Sequence, residues 1–419
     1  MGHNYDADVI VVGAGPAGSR TAGLLSEDGH SVILLEEHSE VGLPVHCSGF
    51  ITPRTLDIAG IKSDIVLNSV KGALVYTNNS QKPLILGGDV DRAFVVDREL
   101  LDKSIAGASR DSGTFLKLGT KVVSVERNES GVEVLAIHDK SPVKYTSRCL
   151  VGADGVRSIV AQHMKRDSGE MIWCIGAEAK LVGHPNDMVR IYVNESLAPG
   201  WFGWSIPTGK HSVRLGIGTT MNASGLKPRT LLNDLFSKFP EHFKGIEVNS
   251  FGGGFIPLYS ASTTYANRSL LVGDAALQVK PTSGGGIYTS LKAASHAART
   301  LSENLFQDSL DKDSLSIYQK NWIEDIGIEM QRGLDIRETY LSLEDAKLNR
   351  LIDILRLPLF RSKINSYGDI DYPSKMFGIL LGLAPILKGV LGLPDLLPVS
   401  WRNVVDSNKW DRMHRDAPS

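Results

Sequence analysis

The stretch Asp8-Val-Ile-Val-Val-Gly13-Ala-Gly15-Pro-Ala-Gly18 constrains this chain more than any other. A short apolar run breaks into Gly13-x-Gly15-x-x-Gly18, and a helical pattern with Ala22, Leu24 and Leu25 follows at once. A second apolar run, Ser31 to Leu35, ends on Glu36. Strand, tight turn, helix, strand and acid in that order specify a dinucleotide-binding unit. Gly13 serves the tight turn, Gly15 the close approach of a pyrophosphate, and Gly18 the packing of helix on strand. The helix N-terminus offers free N–H groups and a positive dipole end to the phosphates. Glu36 falls where an acid meets the adenosine ribose, roughly 20 residues on.

At 419 residues the chain exceeds one simple core and calls for two domains plus a tail. A formal net charge of −2 without a basic block argues against a nucleic-acid partner. No basic segment followed by an apolar one precedes the first strand, so no cleaved secretory signal is expected. Cys47, Cys149 and Cys174 are too widely spaced for a disulfide framework or a zinc site, so no metal is expected and the compartment reads as intracellular and reducing.

Further along, the loop from Glu37 to Phe50 is broken by Gly42, Pro44 and Gly49, and Thr52-Pro53 reads as a helix start. Lys71 to Val96 alternates as antiparallel strands, and Asp97 caps a helix that begins at Arg98. Lys121–Val125 and Gly131–Leu135 form a hairpin, and Arg148 to Gly155 is a buried strand ending in a glycine turn, with Ser158 opening the next helix. From Met171 to Gly254 the chain is strand-rich and alternating, which marks an inserted sheet domain with one buried face. Ser269 to Ala276 returns to the nucleotide fold, and Pro281-Thr-Ser-Gly-Gly-Gly286 leads into a helix with Ile287, Leu291, Ala294, Ala298 and Leu301 on one face. The remainder is helical, with Leu348, Leu351, Ile352 and Leu355 as a stripe. Met376 to Leu393 is nearly long enough to span a bilayer, but Pro385 and Lys388 interrupt it. It either lies on a membrane surface or caps the core.

Three separated stretches fit one cofactor. The N-terminal turn takes an ADP half. Asp274, at a strand end, is placed to accept hydrogen bonds from a polyol such as a ribityl chain. The run Gly284 to Gly286 lets N–H groups at a helix start approach a planar ligand, and the positive helix end favours charge on a reduced flavin. NAD needs no second and third contact of this kind, so the dinucleotide is FAD.

These residues resemble the FAD-dependent glutathione-reductase/para-hydroxybenzoate-hydroxylase superfamily, and within it the geranylgeranyl reductase family. Gly13, Gly15, Gly18 and Glu36 match the first motif. Val151-Gly-Ala-Asp154-Gly155 with Ser158 matches the second, and Leu271-Val-Gly-Asp274-Ala-Ala276 with Pro281 the third. Arg98 matches a cofactor-contacting arginine. Val45-His46-Cys47-Ser-Gly49 resembles the family's cysteine-glycine loop, and Thr282 to Ile287 its triple-glycine turn. Ala198-Pro-Gly-Trp-Phe202-Gly-Trp204-Ser-Ile206-Pro207, with Gly216 beyond, resembles its aromatic substrate-strand signature. Phe202 replaces the usual tyrosine and Ile206 the usual phenylalanine, so one hydroxyl is missing. The resemblance also implies cofactor contacts at Pro16, Ala17, Glu37, Cys47, Gly49, Val123 and Ile287.

The fold so implied is α/β. A discontinuous Rossmann-type FAD-binding domain spans 1–70, 97–165 and 265–330. An antiparallel-sheet substrate domain spans 71–96 and 166–264, and a helical C-terminal region spans 331–419. The implied activity is reduction of isolated double bonds in geranylgeranyl chains, on archaeal ether phospholipids or on other prenyl carriers, by hydride from reduced FAD with protonation of the second carbon. Proton delivery to an unactivated alkene must be well placed, and Cys47 and His46 are the candidates. Phe202 and Trp204, two apart on one face, line an apolar tunnel together with Ile206, Pro207 and Gly216. NADPH or reduced ferredoxin is the expected electron donor. The expected location is the cytoplasm, with a peripheral contact on the inner face of the cell membrane. The Phe202–Pro207 stretch also resembles a halogenase motif, which leaves a flavin-dependent halogenase or monooxygenase as the alternative. In the halogenase class a lysine follows the cofactor turn along the chain, and Lys71 and Lys82 are its candidates here.

Overall fold

The computed structural model describes residues 5–45, 47–77, 82–221 and 227–376. The first apolar run forms the strand Ala7–Val12 at the centre of a largely parallel sheet. Its neighbours are Val32–Leu35 on one side and Ser141–Gly152 on the other, both parallel to it. Phe115–Lys117 and Ser269–Leu271 extend the sheet outward. Val9 and Val11 face one apolar core while Ile10 and Val12 face a second. A strand buried on both faces is therefore a continuous apolar run rather than an alternating one. Each such side chain contributes about 1.5–3 kcal/mol on burial. The helices Pro16–Glu27 and Ile287–Gln307 cover the first face. The hairpin Thr120–Arg127 and Val132–His138 attaches to the near half of the Ser141–Gly152 strand.

The second sheet has seven strands in the order Glu247–Pro257, Met171–Lys180, Ser212–Thr220, Gly203–Gly209, Met188–Tyr192, Gly72–Tyr76 and Leu84–Gly87. All its pairs are antiparallel except one: Gly72–Tyr76 runs parallel to Met188–Tyr192. That pair is joined by a connection long enough to pass through the cofactor domain, which a parallel pairing requires. One expected strand goes elsewhere. Ala93–Val96 leaves this sheet and pairs with Phe50–Ile51 and Val66–Val70 in a small third sheet. Its alternation explains why: Val95 packs toward Val189 and Ile206 of the seven-stranded sheet, while Val96 packs toward Leu101, Ile105 and Leu291 of the cofactor-domain helices. The small sheet thus bolts the two larger units together.

The C-terminal helices close the far edge. Asp345–Leu355 buries Leu348, Ile352 and Leu355 of the expected stripe against Leu84 of the edge strand, with Leu351 only partly buried beside them. In the helix Pro358–Tyr367, the Asn365 side-chain oxygen accepts from the Gly87 N–H at 2.8 Å. An exposed strand edge is thereby covered. Beyond this helix, residues 368–374 turn back toward the cofactor domain. The apolar stretch beyond Met376, and with it the expected membrane contact, lies outside the described residues. Among the described residues, no helix is long and apolar enough to cross a membrane.

Candidate active site

The turn after the first strand is built as its glycines predict. Gly13 has φ +95°, and a Cβ there would meet the Ala153 carbonyl oxygen at 2.4 Å. A Cβ on Gly18 would lie 1.9 Å from the Gly13 carbonyl oxygen, so the helix approaches the turn only because Gly18 lacks one. Gly15 differs: a Cβ there would meet nothing within 4 Å, because it faces a cavity of about 920 Å³. That volume lies within the range of small-molecule and cofactor pockets, about 300–1,000 Å³. Pro16 and Ala17 line the cavity beside it. Glu36 is buried behind the turn. Its Oε2 accepts from the Ala14 N–H at 2.8 Å, and its Oε1 from the His38 N–H at 3.0 Å and the His38 ring at 2.6 Å. A carboxylate has about four acceptor sites, so room remains for one ribose hydroxyl. Glu37 pairs with Lys121 at 2.7 Å on the surface. Val123 is 41% exposed and does not line the cavity.

The second motif divides its labour. The Asp154 carboxylate accepts from the backbone of Ile159 at 2.8 Å and from the Ser158 hydroxyl, so it is spent on fixing the start of a helix. Ala153 and Gly155 are the residues of that motif on the cavity wall. The third motif is more direct. Asp274 lines the cavity, and among the described residues no donor reaches its carboxylate. Burial pushes its carboxyl up to about 6, with the Arg98 charge pulling the other way. Gly284, Gly285, Gly286 and Ile287 line the wall where the Ile287–Gln307 helix opens. Pro281 sits behind this turn and is not on the wall.

Cys47 lies on the wall, its sulfur accepting from the Gly49 N–H at 3.4 Å. Gly49 takes φ +69°, and a Cβ there would meet the Val96 carbonyl oxygen at 2.4 Å and Arg214 Nη1 at 2.6 Å. The loop is held by that arginine: Arg214 Nη1 donates to Ser48 O at 3.1 Å and Val96 O at 2.9 Å, and its Nε to Glu178 at 3.0 Å. Arg98 makes a forked pair with Asp102 at 2.8 and 2.9 Å. Burial opposes its charge, but Asp102 and the Cys47 sulfur outweigh burial and hold the guanidinium more firmly protonated than usual. Its Nε is buried without a partner. His46 lies outside the described residues.

The seven-stranded sheet supplies the apolar side of the same cavity. Phe202, Trp204 and Ile206 line it, with Trp201 and Phe255 beside them. Phe202 stacks on Trp201 at 4.8 Å between ring centres and meets Trp204 edge-on at 6.1 Å. Gly216 is off the wall and has a packing role: a Cβ there would lie 2.4 Å from the Trp204 ring. Pro207 is also off the wall; its carbonyl accepts from Asn68 Nδ2 at 2.9 Å. Lys71 and Lys82 do not line the cavity. Sequence reasoning missed Arg214, Lys280, Trp201 and Asp371. Trp201 stood inside the Ala198–Pro207 signature stretch and Lys280 one residue before Pro281, but nothing in the sequence linked Lys280 to Asp371.

The residues present fit FAD. Gly15 leaves open a space that a side chain would fill, Asp274 offers an unpartnered acceptor, and Arg98 carries a buried unpartnered N–H, all on one cavity. The FAD binding domain family matches residues 6–231, more than half of the chain. An uncharacterized protein of Methanocaldococcus jannaschii is 30% identical over 396 residues, covering 94% of this chain and 99% of its own length. The digeranylgeranylglycerophospholipid reductase of Methanothrix thermoacetophila is 29% identical over 357 residues, covering 82% of this chain and 90% of its own. A geranylgeranyl bacteriochlorophyll reductase-like protein from Thermoplasma acidophilum shares the fold with a TM-score of 0.84 at 23% identity, over 93% of this chain and 99% of that one. The flavin-dependent halogenase CmlS is more distant, with a TM-score of 0.69 at 17% identity over 92% of this chain and 78% of its own. The chain belongs to the FAD-binding domain family and is an FAD-dependent oxidoreductase, similar to the archaeal digeranylgeranylglycerophospholipid reductases.

Proposed function

We propose that this protein saturates isolated double bonds of geranylgeranyl chains, on archaeal ether phospholipids in the first instance. The observation that carries this reading is the single cavity with two unlike walls: a polar wall from Gly15 through Arg98 to Asp274, and an apolar wall of Trp201, Phe202, Trp204 and Phe255. The names of the archaeal relatives support the same substrate class.

Bound and reduced, FAD supplies hydride to one alkene carbon. The chain's own residues do the rest. Gly15, Pro16 and the helix they open would hold the pyrophosphate, Glu36 behind the turn the ribose, Asp274 the polyol, and the N–H groups at Gly284 to Ile287 the ring. Arg98 holds its charge at the wall beside Cys47. Cys47, on the cavity wall, is the first candidate to donate a proton to the second alkene carbon, and His46 is the second. The aromatic wall excludes water from the reacting face. Reduced ferredoxin or NADPH delivers electrons, and the apolar stretch from Met376 to Leu393 brings the protein to the membrane where its lipid resides.

The test is anaerobic: FAD-loaded protein reduced with dithionite, digeranylgeranylglyceryl phospholipid added, and lipid mass followed. Stepwise gain of H2 units is expected. No gain on this lipid or on other prenyl carriers, with reduced flavin correctly bound, would overturn the reading. The halogenase alternative draws support from the neighbouring fold of CmlS and from the Phe202–Pro207 stretch, and substrate-coupled oxygen uptake would favour it or a monooxygenase.

A further inference from the structure

Lys280 is, among the described residues, the only lysine on the cavity wall, and it is 6% exposed. Its Nζ donates to Asp371 Oδ1 at 2.6 Å and to the Ile370 carbonyl at 3.3 Å. Asp371 is equally buried; its Oδ2 accepts from the Thr52 hydroxyl at 2.5 Å and lies 3.7 Å from Arg54 Nη1. The lysine is also packed directly on the triple-glycine turn. A Cβ on Gly285 would lie 2.9 Å from Lys280 Cε and 3.2 Å from its Nζ. The backbone repeats the contact, with Lys280 N–H donating to Gly285 O and Gly284 N–H to Lys280 O. An ammonium group is therefore fixed against the turn that opens the Ile287–Gln307 helix, whose N-terminus already carries positive dipole charge.

The counter-charge comes from far away in sequence. Asp371 sits on the returning strap of residues 368–374, which is tied down by polar contacts. Arg54 forks onto Asp369 with both distances 3.0 Å, Tyr372 and Tyr288 share a hydrogen bond of 2.8 Å, and Ser374 N–H donates to Glu329 at 2.7 Å. Reduction adds negative charge to a flavin ring, so a nearby cation favours the reduced state and a nearby anion opposes it.

We infer that Lys280 is a positioning residue that sets the charge at the triple-glycine end of the cofactor cavity, and that docking of Asp371 against it holds down the reduction potential of bound FAD. Thermodynamic reciprocity adds a second consequence: if docking of the strap disfavours reduction, reduction loosens the strap. The inference rests on the cofactor and not on the identity of the lipid.

The experiment is an anaerobic redox titration of the holoenzyme against a reference dye, for wild type, Lys280→Met, Lys280→Arg and Asp371→Asn. Lys280→Met is expected to move the potential to more negative values and Asp371→Asn to more positive ones, with Lys280→Arg close to wild type. Unchanged potentials, or a shift of Lys280→Met and Asp371→Asn in the same direction, would overturn the inference. A second measurement needs no variant. Trypsin cleavage after Lys375 in the wild-type holoenzyme is expected to be faster with reduced than with oxidised flavin, and equal rates would count against the linkage. Neither readout involves substrate, so a wrong lipid assignment leaves both results intact.

Discussion

Gly13 and Gly15 stand two apart in one turn, and the structure predicts opposite phenotypes for the same substitution. Gly13→Ala forces a side chain to φ +95° and against the Ala153 carbonyl, and is expected to destabilise the apoprotein by roughly 1–3 kcal/mol. Gly15→Ala meets nothing, so the melting temperature of the apoprotein stays where it is, while FAD affinity falls at least about tenfold, or 1.4 kcal/mol. Thermal melts of both apoproteins beside FAD titrations separate the two. Asp274 makes a pH prediction. Its folded-state carboxyl is raised to about 6, above the unfolded value near 3.9. A raised carboxyl contributes stability that is present below the unfolded value and lost as pH climbs through the folded one. The apoprotein should therefore lose stability between about pH 4 and 6 through this group, by roughly 3 kcal/mol at most. Asp274→Asn should flatten that slope in apoprotein melts and weaken FAD binding at pH 7. An unchanged slope would assign the pH dependence to other groups.

At the scale of elements, the Cys47–Gly49 loop depends on a strand that belongs to the other sheet. Arg214 donates to Ser48 and Val96 with one nitrogen and to Glu178 with another, a fork that lysine cannot reproduce. Arg214→Ala and Arg214→Lys should both raise hydrogen exchange across residues 47–50 and lower turnover, with FAD still bound. Protection of the loop in the lysine variant would show that charge alone holds it. The small sheet built from Phe50–Ile51, Val66–Val70 and Ala93–Val96 works at the same scale, since its two faces join the two halves of the cavity.

Over the whole molecule, the C-terminal helices act as a brace. Arg337, 6% exposed, forks onto Glu170 at 2.9 and 3.0 Å and donates to the Gly200 carbonyl at 2.8 Å, behind Trp201. Arg337 is buried but the Glu170 side chain is 40% exposed and can be hydrated alone, so losing the pair costs on the order of 1 kcal/mol. Arg337→Ala should split chemical denaturation into an early transition for the C-terminal region and a later one for the body. A single unshifted transition would mean that the brace carries no stability.

Much of this molecule could be read directly along the chain, because local physics suffices there. The Gly13–Gly18 turn, the flanking strands and the helix at Ile287 each follow from backbone freedom and apolar spacing within about a dozen residues. The helix caps at Asp97 and Ser158 are local in the same way. Other assignments needed partners that local pattern does not name. Thr52 reads as a cap, yet its hydroxyl goes to Asp371, 319 positions away. Asp154 reads as a cofactor contact, yet its carboxylate is consumed by the next helix. Ala93–Val96 alternates like its neighbours, and only two competing cores decide which sheet it joins. The sequence by itself determined where a dinucleotide is held, since that site is backbone geometry around glycine. Tertiary structure alone decided which charges meet at the cavity, because Arg214, Lys280 and Asp371 find their partners across the fold rather than along the chain.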